Sequence, residues 1–218
     1  PNRPEAAWWL PVALQAAGKL DDAAAEFAKI PESSPHWEEA QFRRALCARL
    51  AVEQKRGELT PDEFRQQAGA AADLLRQYGR DASERAAAGG AKATAKTWAA
   101  QAEVAAAELL AAQGVDRFED ARAVVDGFEE RYPDSDLVGR VLGVRIRAYR
   151  GLRQFEQAAQ ILDQYLQSVP AERAGAVLAV LASGMEEEVA RLADGGQADA
   201  ARELAKEAIV TFEQLARW

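Results

Sequence analysis

The sequence predicts an all-α protein made of stacked antiparallel helix pairs, and residues 141–170 carry the main evidence. This stretch contains one helix, a tight turn and a second helix that ends before Pro170. In the first helix, Leu142, Ile146 and Tyr149 recur at i, i+4 and i+7, the spacing of one helix face. The second helix has a corresponding apolar stripe, which consists of Phe155, Ala158, Ala159, Leu162 and Tyr165. Because neither helix could bury its stripe alone, we expect neighbouring pairs to stack on both sides.

A recurring pattern along the chain is the second observation that predicts this fold. An aromatic or aliphatic residue stands three places before an alanine, and apolar positions and usually a proline follow. The pattern occupies residues 20–35, 118–133 and 155–170, and it opens again at Ala198 and Ala201. The alanine allows two helices to approach closely, and the proline ends the second helix. We therefore expect about five helix pairs.

The first predicted pair covers residues 5–35. Its first helix occupies residues 5–17, and Pro11 should bend or delay it. In its second helix, Asp21 or Asp22 lies in the first turn, where a carboxylate favours the positive end of the helix dipole, and the helix ends near residue 30. The sequence PESSP then stops the helix.

The second predicted pair covers residues 37–78, with a long first helix over residues 37–56. Thr60 and Pro61 suit the N-cap and first positions of the next helix, which should end near Tyr78. Residues 79–93 contain two adjacent glycines among helix-forming residues. We predict that this segment is a linker with a short helical piece.

Three further predicted pairs cover residues 94–133, 137–170 and 174–217 of what we expect to be a single repeat array over residues 1–218. The expected helices within them include residues 94–113, 174–192 and 198–217. Gly151 marks the turn of the fourth pair. Gly195 and Gly196 form the turn of the last pair.

These features resemble those of tetratricopeptide-repeat proteins, and the best matching segments are residues 18–27, 116–133 and 153–170. The intervals between equivalent alanines, 37 positions from residue 121 to 158 and 43 from residue 158 to 201, exceed the family period of about 34. The tryptophan, Leu-Gly and tyrosine spacing of the family's first helices is not reproduced cleanly, although Trp8, Trp37, Trp98 and Tyr149 fall in those helices. Residues 128–136 also resemble part of bacterial envelope lipoproteins with such repeats.

The resemblance implies a right-handed superhelix, or α-solenoid, of about five antiparallel helix pairs. It also implies that the first helices line a concave surface and that the second helices form the outer wall. Proteins of this kind bind partner peptides or domains in the concave groove, so the resemblance implies a protein-binding or scaffolding function.

Composition excludes several other classes of function. The net charge of −8 and the isoelectric point near 4.9 argue against nucleic-acid binding, because phosphates require a basic surface. No apolar run reaches the roughly 18–20 residues that span a bilayer, so we expect no membrane insertion by this chain. The single cysteine, Cys47, permits no internal disulfide, so the fold must depend on packing.

No residue pattern predicts a catalytic, cofactor-binding or metal-binding site. His36 is the only histidine, and we expect it in a loop or at a helix start. Cys47 is expected to be a buried thiol, although nearby arginines would in principle lower its pKa. The Gly-Gly pairs lack the residues of a phosphate loop, and adjacent glutamates on a helix do not face each other. We therefore predict a protein that is not an enzyme.

A cationic strip in the fourth pair is the candidate binding site. Arg140, Arg147 and Arg150 are spaced i, i+7 and i+10, so they share one helix face, and Gly143 lies between them. Residues 137–150 contain four arginines and no acid. Under one hypothesis, an acidic protein or peptide binds this strip. Under the other, these arginines pair with the acids at positions 119, 120, 129 and 130 and only keep the surface soluble.

Three functional hypotheses follow. The first is a noncatalytic module that binds a protein or peptide. The second is a structural spacer or self-association domain of a larger, envelope-associated bacterial protein, with a homo-oligomer as one form. The third is a helical accessory domain whose catalytic residues lie elsewhere. We also expect this chain to be a piece of a longer protein, because it ends at Trp218 inside an apparent helix.

Overall fold

The computed structural model describes residues 3–88, 93–168 and 170–217, and all the regular secondary structure in these ranges is helical. The prediction of an all-α protein is therefore confirmed. The helices are α1 (Arg3–Ala16), α2 (Leu20–Phe27), α3 (Trp37–Gln54), α4 (Pro61–Ala87), α5 (Ala93–Leu110), α6 (Phe118–Val124), α7 (Phe128–Arg131), α8 (Val138–Gly151), α9 (Phe155–Gln160), α10 (Leu162–Ser168), α11 (Ala171–Asp194) and α12 (Ala198–Arg217).

The chain divides into two compact units. Unit 1 comprises Pro1–Arg117 with Val124–Ser135, and unit 2 comprises Phe118–Ala123 with Asp136–Trp218. Unit 1 contains α1 to α5 and α7, and unit 2 contains most of α6 together with α8 to α12. That the chain forms a single repeat array over residues 1–218 stays a prediction.

Within unit 1, α3 and α5 run in the same direction. The ring of Phe42 lies 5.0 Å from the ring of Trp98, 56 positions later in the chain. Arg49 donates a hydrogen bond of 3.0 Å to the carbonyl of Ala105, which is also 56 positions later. Because partners advance together along both helices, the two helices lie parallel and in register.

Helix α4 runs in the opposite direction and completes a hairpin with α3. Near the start of α3, the carbonyl of Glu38 accepts a hydrogen bond of 3.0 Å from the Tyr78 hydroxyl late in α4. Just after the end of α3, the Arg56 guanidinium lies 5.0 Å above the ring of Phe64 early in α4. The start of α4 is fixed by a capping box in which Thr60 and Glu63 satisfy each other's backbone N–H groups, and this confirms the predicted N-cap.

The end of α4 differs from the prediction. The sequence predicted a stop near Tyr78 and a linker over residues 79–93, but α4 continues to Ala87, so the linker prediction is wrong for residues 79–87. Tyr78, Gly79 and Ala82 are all buried, and a Cβ at Gly79 would lie 3.6 Å from the carbonyl oxygen of Ala99 on α5. Packing against α5 therefore keeps this segment helical. The rest of the predicted linker, residues 89–92, lies outside the described residues.

Other predicted helices are also revised. Pro11 is the ninth residue of α1, so the helix begins well before it and is not delayed, although Pro11 has no N–H to donate to the carbonyl four residues earlier. The second helix of the third pair, whose pattern covers residues 118–133, is interrupted, since Gly127 adopts a left-handed conformation (φ 59°) between α6 and α7. The second helix of the fourth pair is likewise divided into α9 and α10 around Ile161.

Unit 2 is built around α8. Most residues of the two predicted stripes are buried, namely Leu142, Ile146, Phe155, Ala158, Leu162 and Tyr165, which confirms the predicted core of the pair. Tyr149 and Ala159 are half-buried. The core cluster of this unit consists of Leu142, Ile146, Phe155, Ala158, Leu162, Tyr165, Leu166, Ala174, Leu178, Leu181, Met185, Leu192, Ala201, Leu204 and Ala208. Helix α8 ends at Gly151, as predicted, where the ring of Phe118 lies against the backbone.

Gly151 provides a test of this packing. A Cβ at Gly151 would overlap the ring of Phe118, so Gly151→Ala should lower the free energy of unfolding by about 1–3 kcal/mol. Gly175, inside α11, is the matched control, because a Cβ there meets no described atom within 4 Å. Gly175→Ala should raise the stability by about 0.5–1 kcal/mol. Urea unfolding followed by circular dichroism measures both, and equal effects of the two substitutions would contradict the packing.

Candidate functional site

The predicted cationic strip lies on α8 in unit 2. Arg147 is exposed, whereas Arg140 and Arg150 are half-buried. Among the residues that the structure describes, none forms a hydrogen bond or an ion pair with the side chain of Arg147 or of Arg150. Since these two arginines are three positions apart, their side chains leave the same face of α8. Their guanidinium groups are therefore available to an outside acceptor.

Gly143, the fourth residue of the predicted site, lies in a different environment. It is buried, and a Cβ at this position would lie 3.4 Å from the ring of Tyr165 on α10. Gly143 therefore contributes to the contact between α8 and α10, and it is not part of the exposed surface of the strip.

Helix α11 positions Arg150, a contribution that the spacing of the α8 arginines did not predict. The Arg150 side chain crosses Gly184, where a Cβ would lie 2.8 Å from Nε and 3.2 Å from Cγ. A side chain at position 184 would therefore displace the arginine. A glycine in the interior of a helix costs about 1 kcal/mol relative to alanine, so its presence in α11 was a signal of a close approach.

Other arginines near this surface are paired. Glu188 on α11 is only 8% exposed and binds two of them. It accepts hydrogen bonds of 2.8 and 2.7 Å from Arg191, and it forms a further ion pair with Arg153. These bonds, first from Arg191 and then from Arg153, lower the pKa of Glu188 from its ordinary value of 4.5. Pairing with a carboxylate thus distinguishes Arg153 and Arg191 from Arg147 and Arg150.

Unit 1 contains a separate groove of about 420 Å³, bounded by α2, α3 and α4. This volume falls within the range of small-ligand sites. Its lining consists of Leu20, Asp21, Ala24, Trp37, Gln41, Arg44, Ala45, Cys47, Ala48, Leu74, Gln77, Tyr78, Asp81 and Arg85. The groove was not predictable from local patterns, because it depends on how three helices pack.

Arg85, one of the lining residues of this groove, is bound by other residues of the protein. Its Nε and Nη2 atoms donate hydrogen bonds of 3.1 and 3.0 Å to the two carboxylate oxygens of Glu38. The same guanidinium lies 5.0 Å above the ring of Trp37 and 6.0 Å from that of Tyr78. Burial, followed by the charge of Glu38, raises the pKa of Tyr78 above its ordinary range. This network joins α3 to α4 and leaves the Arg85 charge satisfied internally.

The two residues with potential for metal or nucleophilic chemistry have structural contacts. The ring of His36 stacks on Trp8 with a centroid distance of 4.5 Å, at the start of α3. Cys47 is buried, and burial raises the pKa of its thiol to about 11, so the thiol stays protonated near neutral pH. Within residues 3–88, 93–168 and 170–217, no cluster of three or more histidine, cysteine or acidic side chains has the arrangement of a metal site.

None of the helices in the described part of the chain combines the length and apolar character needed to cross a membrane. Comparison with protein-family models gives no match to this sequence, and comparison with curated proteins also gives no match.

Glu188 provides a test of the distinction between paired and unpaired arginines. Because its pKa is lowered in the folded state, its contribution to stability is complete above the ordinary value of 4.5 and is lost as the pH falls through the lower folded value. Glu188→Gln should therefore reduce the free energy of unfolding at pH 7, and the difference from the unmodified chain should shrink below pH 4.5.

Urea unfolding at a series of pH values measures this difference. Glu187→Gln, at the exposed neighbouring position, serves as the control and should give a small difference at pH 7. If Glu188→Gln gave the same difference at all pH values, the ion-pair assignment would be wrong.

Proposed function

We propose that this protein is a noncatalytic binding module in which α8 binds an acidic segment of a partner protein. The observation that carries the proposal is the pair Arg147 and Arg150, two guanidinium groups on one helix face without an acceptor among the described residues. Helix α8 and the residue before it contain four arginines and no acid. An acidic partner would supply acceptors for Arg147 and Arg150.

A repeat architecture like that of tetratricopeptide-repeat proteins is part of the proposal. Its support in unit 2 is the offset between α8 and α11, meaning the number of chain positions that separate residues in contact. Arg150 lies over Gly184, 34 positions later, and Arg153 pairs with Glu188, 35 positions later. This spacing agrees with the period of about 34 residues in such repeats. In unit 1 the offset between α3 and α5 is longer, at 56 positions. The array would be a right-handed superhelix.

This architecture gives α8 and α11 the position of first helices, which line the concave surface of such arrays. Arg150 would then lie at the junction of two neighbouring first helices, and Arg147 would lie one turn earlier. A planar guanidinium donates two parallel hydrogen bonds to a carboxylate. Two such groups on one face therefore favour a segment with two acidic side chains.

The overall charge of the chain constrains how the strip works. With a net charge of −8, the chain repels acidic partners at long range, so the attraction must act locally. The Debye length is about 8–10 Å at physiological salt, and most of the long-range repulsion is screened beyond that distance. Binding should therefore depend on direct contact with the arginines and should weaken as the salt concentration rises.

The groove of unit 1 gives less support for recognition of a charged ligand. Its Arg85 already binds Glu38, and its exposed Arg44 shares the groove with Asp21 and Asp81. The surface is therefore electrostatically mixed, whereas α8 is uniformly cationic.

The second candidate function is structural, through self-association. Its specific support is a pair of exposed apolar side chains on α12, Ile209 and Phe212. Apolar groups of this size grouped on one helix are typical of a surface that another chain covers.

The experiment that tests the binding proposal uses fluorescent peptides rich in aspartate and glutamate, with asparagine and glutamine versions as controls. The chain should bind the acidic peptides, and Arg147→Glu with Arg150→Glu should weaken binding by about 10- to 100-fold. Arg65→Glu with Arg80→Glu, two exposed arginines of α4, makes the same change of charge and should have little effect.

A further variant separates position from charge. Gly184→Ala retains every arginine but displaces the Arg150 side chain, so it should also weaken binding of the acidic peptides. Fluorescence anisotropy gives the dissociation constants, and circular dichroism confirms folding. If both arginine double variants lost the same affinity, or if the chain bound no acidic peptide, the proposal would be wrong.

A further inference from the structure

One apolar face of helix α12 is buried within unit 2. Ala201, Leu204, Ala208 and Thr211 are buried on it. The Thr211 hydroxyl lies 3.6 Å from the sulfur of Met185 on α11, so this face packs α12 against α11 within unit 2.

A second apolar stripe on the same helix is uncovered. Ile209 is 57% exposed, Phe212 is 37% exposed, Ala216 is exposed and Ala205 is half-buried. These four residues are spaced by four, three and four positions, which is the spacing of the a and d residues of a coiled coil. At about 100° per residue, the stripe is centred roughly a quarter-turn from the buried face. Helix α12 can therefore pack against α11 and pair with another helix at once.

The charged residues beside this stripe are complementary between two copies of α12 when the two helices run antiparallel. In the heptad defined by the stripe, Lys206 and Glu213 both occupy e positions, on the side away from the buried face. In an antiparallel pair, Ile209 faces Phe212 of the second copy and Ala205 faces Ala216, which gives four continuous layers. The same alignment brings Lys206 of each copy beside Glu213 of the other.

A parallel pair would not have this complementarity. It would bring Lys206 and Glu213 beside g positions, which are Ala201 and Ala208 of the buried face. The intrachain partner of Lys206, Glu203, forms only an exposed pair with side chains 65% and 71% accessible, so it does not hold the lysine in place.

We propose that α12 pairs antiparallel with α12 of a second copy and forms a two-fold symmetric dimer. The interface is isologous, because the same stripe and the same two charges serve both copies. The dimer presents two α8 strips, but its formation does not depend on the proposed binding function.

Sedimentation equilibrium of the full chain tests the dimer. The chain should dimerise at micromolar to submillimolar concentration, and Ile209→Asp with Phe212→Asp should weaken dimerisation by more than about tenfold. Val210→Asp is the matched control, because Val210 is 55% exposed but points away from the stripe, and it should leave the dimer intact. Circular dichroism confirms that the variants fold. A monomeric chain at all concentrations, or equal effects of the two changes, would overturn the proposal.

Two further variants test the antiparallel orientation. Chains with Ala205→Cys, when mixed with chains carrying Ala216→Cys, should form a disulfide on oxidation, whereas Ala205→Cys alone should not. In the antiparallel pair the two positions 205 are separated by about 16 Å along the helix axis, which is too far for a disulfide.

Charge substitutions at Lys206 and Glu213 test the antiparallel orientation independently. Lys206→Glu should weaken the dimer, and adding Glu213→Lys should restore it, because each copy then presents the opposite charge again. Efficient cross-linking of Ala205→Cys alone, or no restoration by the double charge change, would overturn the antiparallel arrangement.

Discussion

Close approach of helices at glycine and alanine is the interaction on which the rest of this structure depends. The chain is rich in alanine, so large side chains are too few to fill wide gaps between helices. Protein interiors are packed as densely as organic crystals, and helices lined by small residues reach that density only when their backbones come close. In unit 1, Gly79 faces α5 beside Ala99 and Ala102. In unit 2, Gly151 lies under the ring of Phe118.

The same constraint connects packing to the candidate site. Gly184 gives α11 a flat surface where α8 passes, and the Arg150 side chain lies across it. Four positions further along α11, Glu188 accepts bonds from Arg153 and Arg191. A glycine therefore leaves one arginine without a carboxylate, while a glutamate on the next turn neutralises two others. The distribution of free positive charge on this surface follows from which small or acidic residue of α11 faces each arginine.

Local patterns predicted a large part of this structure. The period of the apolar residues predicted the stripes of α8, and the Thr60 capping box predicted where α4 begins, because both depend on residues a few positions apart. The extension of α4 beyond Tyr78 was not predictable in this way, since contact with α5 decides it. The candidate site likewise has a part that local spacing predicts and a part that depends on contacts with other helices. Spacing predicted that the α8 arginines share a face, but burial of Gly143 under Tyr165 depends on α10.

The central claim is that α8 and α11 run in the same direction with an offset of about 34 residues, because that arrangement creates the proposed binding surface. Distances between spin labels test it most directly, in a Cys47→Ser chain carrying either Arg140→Cys with Ala176→Cys or Arg147→Cys with Ser183→Cys. Both labelled sites move by seven residues, or about 10 Å, from the first pair to the second, so parallel helices predict the same distance for both pairs. In this register each crossed pair, 140 with 183 and 147 with 176, is offset by about 10 Å along the helix axis, so both crossed distances should exceed the direct ones. Unequal direct distances, or crossed distances shorter than the direct ones, would show antiparallel helices and contradict the account.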